Sequence, residues 1–367
     1  MPRVLMVTDG LWNGGAERQL ALLIASLPEP WSASVLSMED GPYRPVLESL
    51  GVEVRIAPRV HRFDVTPAVR MWRIASGIGP DIVHSWGWMS SIAIIPFCRT
   101  HRIPLLNGII RGGRGPSRRV LMERLSLSLS DVVVANSHAG LAAYGIAESG
   151  RARVIHNGFD FGRLKPVAAD VRDFGRSDGT VAIMAARMYP AKDWRSFLRV
   201  ARVLATEGRG WRFVAVGAGP ERDALLAEAA DLVGSGVVVF PEAGVEAIPM
   251  IATADLGVLL TDPQRAAEGC SNSIMEYMAC GLPVVCTDSG GNPELVEDGV
   301  TGFLVPSGGT EALVSALRTL RDDPARAREM GRAGRRRVQE RFGVDAMVEA
   351  FVATYEFALH IRGRANP

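Results

Sequence analysis

Short apolar runs separated by longer amphipathic stretches recur along this chain, and the series restarts halfway. The first series is Val4 to Val7, Val52 to Ile56, Ile82 to His84, Leu105 to Ile110 and Val132 to Ala135. The second is Val181 to Ala185, Phe213 to Val216, Val237 to Phe240, Leu256 to Leu260 and Val284 to Cys286. Runs that are apolar on consecutive residues bury both faces of a strand, and strands alternating with helices form parallel βαβ units. The pattern therefore predicts an α/β chain with two doubly wound parallel sheets. Its 367 residues suffice for two cores of ordinary size. The stretch Phe161 to Thr180, rich in charge, Gly and Asp, reads as the linker. We place the boundary near Val167, giving domains 1–167 and 168–343. The last amphipathic stretch, 344–367, carries Met347, Phe351, Tyr355 and Leu359 at helical spacing, as a core-facing stripe does.

Composition narrows the partners. With 41 basic against 40 acidic side chains the net charge is +1, and nothing global argues for nucleic acid. Cys98, Cys270, Cys280 and Cys286 lack zinc-site spacing, so buried thiols of a reduced chain are expected and no metal is. The N-terminus runs straight into Arg3-Val-Leu-Met-Val7, without a signal-peptide core, and no apolar run is long enough to span a bilayer. The expectation is a cytoplasmic protein.

The residues that carry chemistry cluster after the second-series strands. Glu268 lies on the loop after the run Ala254 to Thr261, where open α/β sheets bind ligands. Ser271, Asn272 and Ser273 then start a helix, with Gly269 and Cys270 before them, so free backbone NH groups face the same crevice. Glu276 lies eight positions after Glu268; its spacing from Ser273 also fits a capping box, and both readings stay open. Arg187 and Lys192 follow Val181 to Ala186 on one loop, either as a pyrophosphate clamp or as solvated cations. Gly217-Ala-Gly219 also follows a strand, but Arg222 replaces the third glycine of the dinucleotide fingerprint, which argues against a nicotinamide enzyme.

The segment Glu268 to Glu276, then Tyr-Met-Ala-Cys-Gly-Leu-Pro-Val-Val and Gly290-Gly-Asn-Pro-Glu-Leu-Val, resembles the signature of retaining GT-B glycosyltransferases of family 4. Gly14-Gly-Ala-Glu-Arg18, Asn157-Gly-Phe-Asp160, Arg187 through Lys192 and Gly302-Phe-Leu-Val-Pro306 extend the resemblance over nearly the whole length. It implies two Rossmann-like domains facing a cleft, acceptor on the first, donor on the second, and a C-terminal helix crossing back to the first. The donor is a nucleoside diphosphate sugar, UDP-sugar first and GDP-sugar second, and no cofactor or metal is needed. Arg187 and Lys192 hold the pyrophosphate. Glu268 takes sugar hydroxyls; the backbone from Gly269 through Cys270, Ser271, Asn272 and Ser273 holds sugar and phosphate; and Glu276 takes the ribose. Gly15 joins the donor site and Gly14 the acceptor side. No nucleophile for double displacement is marked, so attack is expected from the face the diphosphate leaves, its oxygen taking the acceptor proton.

The first domain departs from the pattern. Where many relatives place a His after the strand equivalent to Leu105 to Ile110, this chain has Arg111-Gly-Gly-Arg114. The two arginines fit an anionic or lipid-linked saccharide acceptor or an incidental surface loop. His84 fits the acceptor site or a hydrogen-bonded core position. Ser117 to Leu125 combines charges with apolar residues at helical spacing, suited either to an anionic membrane surface or to packing on the sheet. Two rivals remain: a GT-B epimerase or phosphorylase, and a noncatalytic nucleotide-sugar-binding module.

Overall fold

The structure, a computed structural model, describes residues 1–12, 14–59, 64, 66–109, 118–164, 179–207, 210–242, 246–266 and 268–363. It divides into two compact units, Met1–Gly158 with the chain from Val344, and Phe159–Gly343. The expected boundary at Val167 lies outside the described residues.

The first unit holds a parallel sheet of seven strands: β1 (Arg3–Thr8), β2 (Ser32–Ser37), β3 (Glu53–Ile56), β4 (Ile82–Ser85), β5 (Leu105–Ile109), β6 (Val132–Ala135) and β7 (Ala152–Val154). Their order is β3-β2-β1-β4-β5-β6-β7, which reverses direction between β1 and β4. Along β1, Val4 and Met6 enter one apolar layer while Leu5 and Val7 enter the other. That is the period-two alternation of a strand covered on both faces, which is why β1 reads as a continuous apolar run.

The helix Val344–Ile361 belongs to this unit, with Met347, Phe351 and Tyr355 in the layer that contains Val4 and Met6. The Arg362 guanidinium adds a 2.5 Å ion pair to Asp131 at its end.

The second unit repeats the plan with six strands: β8 (Thr180–Ala185), β9 (Trp211–Val216), β10 (Val238–Val239), β11 (Leu256–Leu259), β12 (Val284–Thr287) and β13 (Gly302–Val305). The order is β10-β9-β8-β11-β12-β13, so the reversal falls between β8 and β11. Ala182 and Met184 face one core, Val181, Ile183 and Ala185 the other. The helix Trp194–Ala205 covers the first of these faces with Trp194, Phe197, Leu198 and Leu204. No helix among the described residues is long and apolar enough to cross a membrane.

Candidate active site

The reversal between β8 and β11 opens a crevice at the carboxyl ends of the two strands, where ligands bind in sheets of this kind. The loop after β8 carries Arg187 and Lys192; the loop after β11 carries Glu268. A backbone bridge between Lys192 and Thr261 ties the loops together. Across it the Lys192 ammonium donates to Glu268 Oε2, and Thr261 Oγ1 donates to the same oxygen at 3.1 Å. Both charged side chains are 19% exposed, so the pair is sheltered but open to a ligand.

The Glu268 loop is held from behind. Gly291 donates its NH to the Glu268 carbonyl at 3.0 Å. Gly290 has φ +59°, and a Cβ there would stand 2.3 Å from that carbonyl oxygen. Only glycine meets both demands, which explains Gly290. Gly217 does the same for the cationic loop, since a Cβ on it would lie 2.0 Å from the Ala186 carbonyl oxygen. The glycines after β9 therefore make room for the backbone leading to Arg187. Arg222 donates to the Pro241 carbonyl at 2.8 Å, tying the stretch after β9 to that after β10. Arg187 itself is exposed, its guanidinium 5.1 Å from the Tyr189 ring centroid.

Helix Asn272–Ala279 begins at the Ser271 cap, whose hydroxyl accepts from the Ile274 NH at 3.5 Å. Ser273 is not its cap: that hydroxyl donates to the Ala185 carbonyl at 2.6 Å. The Tyr277 hydroxyl accepts from the Ala185 NH at 2.6 Å, its ring lying where a Cβ on Gly257 would be. The helix is thus clamped to the end of β8, two residues before Arg187. The capping-box reading of Glu276 falls with the Ser273 geometry. The Glu276 carboxylate, 5% exposed, pairs with Arg163 at 3.1 Å. Cys270 and Ser271 are buried at 5% exposure each, so what Gly269 through Ser273 offers is chiefly backbone. Arg163 and Thr261 carry no signal of their own in the sequence; the first sits just past Asn157-Gly-Phe-Asp160 in the expected linker, and the second closes the apolar run ending in β11.

The first unit has its own reversal, between β1 and β4. Gly14 precedes the helix Gly15–Ser26, and a Cβ on it would meet the Glu17 carboxylate at 2.4 Å, so the space beside this glycine is taken by the chain's own acid. Asp9, after β1, accepts the Ser90 NH at 2.8 Å at the start of helix Trp88–His101. Burial pushes the Asp9 carboxyl above its usual range, against the lowering effect of those NH groups.

His84 is placed differently from the acceptor-site expectation. It is 1% exposed in β4, its Nδ1 2.9 Å from the Tyr355 hydroxyl, with Trp86 and Phe351 packed against the ring. Burial drives its pKa down to about 3, so it stays neutral. An apolar strand end against an aromatic helix face makes it a core residue that fastens the C-terminal helix. Arg111 and Arg114 lie outside the described residues.

Comparison with known proteins identifies the family and the fold. The family pattern described as Glycosyltransferase Family 4 matches residues 13–163, and that described as Glycosyl transferases group 1 matches 179–323. The D-inositol 3-phosphate glycosyltransferase of Streptomyces avermitilis is 30% identical over 315 residues, covering 77% of this chain and 67% of that protein. The GDP-mannose-dependent alpha-(1-6)-phosphatidylinositol monomannoside mannosyltransferase of Mycolicibacterium smegmatis is 31% identical over 232 residues, 60% of each chain. Among solved structures, Anabaena HepE in complex with UDP superposes with a TM-score of 0.83 at 22% identity, covering 96% of this chain and 99% of that one. Sucrose-phosphate synthase from Thermosynechococcus elongatus gives 0.80 at 19%, covering 98% and 100%. These two likenesses establish the GT-B fold.

Proposed function

The chain belongs to the family 4, group 1 glycosyltransferases, and we propose that it moves a sugar from a nucleoside diphosphate sugar to an acceptor hydroxyl with retained anomeric configuration. The observation that carries this reading is the joining of Lys192 and Glu268 across the β8/β11 reversal, a cation and an acceptor-only carboxylate beside a capped helix start. The departing diphosphate needs positive charge, which Arg187 and Lys192 supply without a metal. Vicinal sugar hydroxyls need an acceptor, which Glu268 supplies. The anomeric carbon loses its bond to the phosphate oxygen and gains one to the acceptor oxygen on the same face. The acceptor proton passes to the departing phosphate oxygen.

Uridine is our first base and guanosine the second, and the GDP-mannose in the name of the Mycolicibacterium relative keeps both in the first screen. The inositol phosphate in the name of the Streptomyces relative supports an anionic polyol or lipid-linked acceptor, which Arg111 and Arg114 would suit. A thermal-shift panel of UDP, GDP, ADP and their sugars, with and without chelator, tests the donor half. A ligand at about 100 times its dissociation constant adds roughly 2.7 kcal/mol, or roughly 5 to 10 °C at this size. The expected result is one nucleotide shifting the wild type equally with chelator, and Glu276→Ala less. A panel with no shift, or one lost to chelator, overturns the metal-free donor site.

We also propose that the first unit rests on an anionic membrane surface. Helix Arg118–Ser128 and the residue after it expose Leu121 at 61%, Leu125 at 43% and Leu129 at 36%, one stripe at helical spacing. Arg118, Arg119 and Arg124 are exposed on the same helix. An apolar stripe edged by cations is how a helix lies on anionic headgroups. Sedimentation with phosphatidylglycerol vesicles is expected to carry down the wild type, and Leu121→Glu with Leu125→Glu to abolish it. Equal recovery with phosphatidylcholine alone would remove the idea.

A further inference from the structure

We infer that Arg163 is a positioning residue of the donor site, holding the Glu276 carboxylate in the orientation that recognises ribose and so setting the preference for ribonucleotides over deoxyribonucleotides. This rests on the assignment of Glu276 to the ribose. Arg163 lies on the single turn Phe161–Leu164, which Asp160 fixes by accepting the Gly162 NH at 2.7 Å. Its guanidinium stands 5.8 Å from the Phe159 ring centroid and spans two carboxylates: Nη1 to Glu276 Oε1 at 3.1 Å and Nη2 to Glu246 Oε1 at 2.8 Å.

The three differ in exposure. The Glu276 side chain is 5% exposed, Arg163 26% and Glu246 59%, so the arginine links a buried acid to a solvated one. A carboxylate so far from water needs a cation or several donors to offset its lost hydration. It must also hold one rotamer to recognise a ligand, and it does so past the first turn of helix Asn272–Ala279, whose cap is Ser271. The planar fork of Arg163, anchored by Glu246, supplies both requirements. It also offsets the Glu276 charge, which would otherwise stand against the diphosphate of the same donor.

The experiment is calorimetric binding of UDP and GDP, each beside its 2′,3′-dideoxy form, to wild type, Arg163→Ala, Arg163→Lys and Glu276→Gln. A lost hydrogen bond to a charged group corresponds to roughly 10-fold or more in affinity. The wild type is expected to favour the ribo form of the nucleotide it binds by about that factor, and Arg163→Ala to bring the ratio to within about threefold. A purely structural role would weaken both forms alike and leave the ratio unchanged, and that outcome overturns the inference. Arg163→Lys keeps the charge but cannot span both acids; it is expected to give an intermediate ratio and carries the same test if the Ala variant does not fold. If Glu276→Gln loses the preference while both Arg163 variants keep it, Arg163 alone is misassigned. If Glu276→Gln keeps it too, the ribose reading of Glu276 falls, and the inference with it.

Discussion

Lys192→Ala is expected to lower turnover by about 10² to 10³ while weakening nucleotide binding far less, as happens when a preorganised charge aimed at a developing anion is removed. The ammonium sits on Glu268, and its loss removes the Lys192 charge from that carboxylate, 19% exposed, at the place where we propose the diphosphate departs. Lys192→Arg is expected to recover only part of the loss, because a guanidinium is broader and cannot occupy the point-like position between Glu268 and a phosphate oxygen. Glu268→Ala is expected to be comparably damaging. The double variant is expected to cost much less than the sum, since each single change strands the other charge. Steady-state kcat and KM on the donor identified by the panel, with nucleotide binding measured separately, decide it. Turnover of Lys192→Ala within threefold of wild type would remove the pyrophosphate assignment.

Much of this architecture is legible because strands covered on both faces must be apolar on consecutive residues. β1, β4, β8 and β12 announce themselves in that way, and the repetition of the series marks two sheets. The strands left unread are those whose composition hides the pattern. β2 reads Ser-Ala-Ser-Val-Leu-Ser although its last four residues are buried, because small serines fit a crowded sheet interior as well as a loop. β7 has only three residues, and β13 opens on Gly302, whose Cβ would lie 1.9 Å from the Val284 carbonyl oxygen.

The candidate site is legible where an acid follows a strand on a loop, as with Glu268, and illegible where partnership is long-range. Arg163 lies 113 positions before Glu276 in the sequence, on a turn of four residues with no periodic signal of its own. His84 stays open between two readings in the sequence for the same reason. Its partner Tyr355 is 271 positions away, so nothing local distinguished a hydrogen-bonded core imidazole from a ligand-facing one. Spacing reports which side chains share an element's face, whereas sheet order decides which elements meet.

That burial gives His84 a measurable pH signature. Its folded-state pKa of about 3 lies below the ordinary 6.5, so below pH 6.5 the unfolded chain binds a proton that the native chain does not. The stability this group provides is therefore complete above pH 6.5 and falls as the pH drops toward 3, by about 1.4 kcal/mol per unit. At pH 5 the loss reaches roughly 2 kcal/mol. The groups packed on the ring are Trp86, Phe351 and Tyr355, and burial also raises the Tyr355 hydroxyl, so none of the three offers a charge to hold a protonated imidazole. His84→Gln can still bond to Tyr355 but does not titrate. Urea unfolding of both proteins from pH 7.5 to 4.5 is expected to show the wild type losing about 1.4 kcal/mol per unit more than the variant once below pH 6.5. Parallel pH profiles would place a protonatable, solvated imidazole at this position. Turnover at pH 7.5 adds the functional half: an imidazole committed to fastening helix Val344–Ile361 takes no part in proton transfer, so the folded variant is expected to keep at least about a tenth of wild-type kcat, whereas loss of a general base costs about 10² or more.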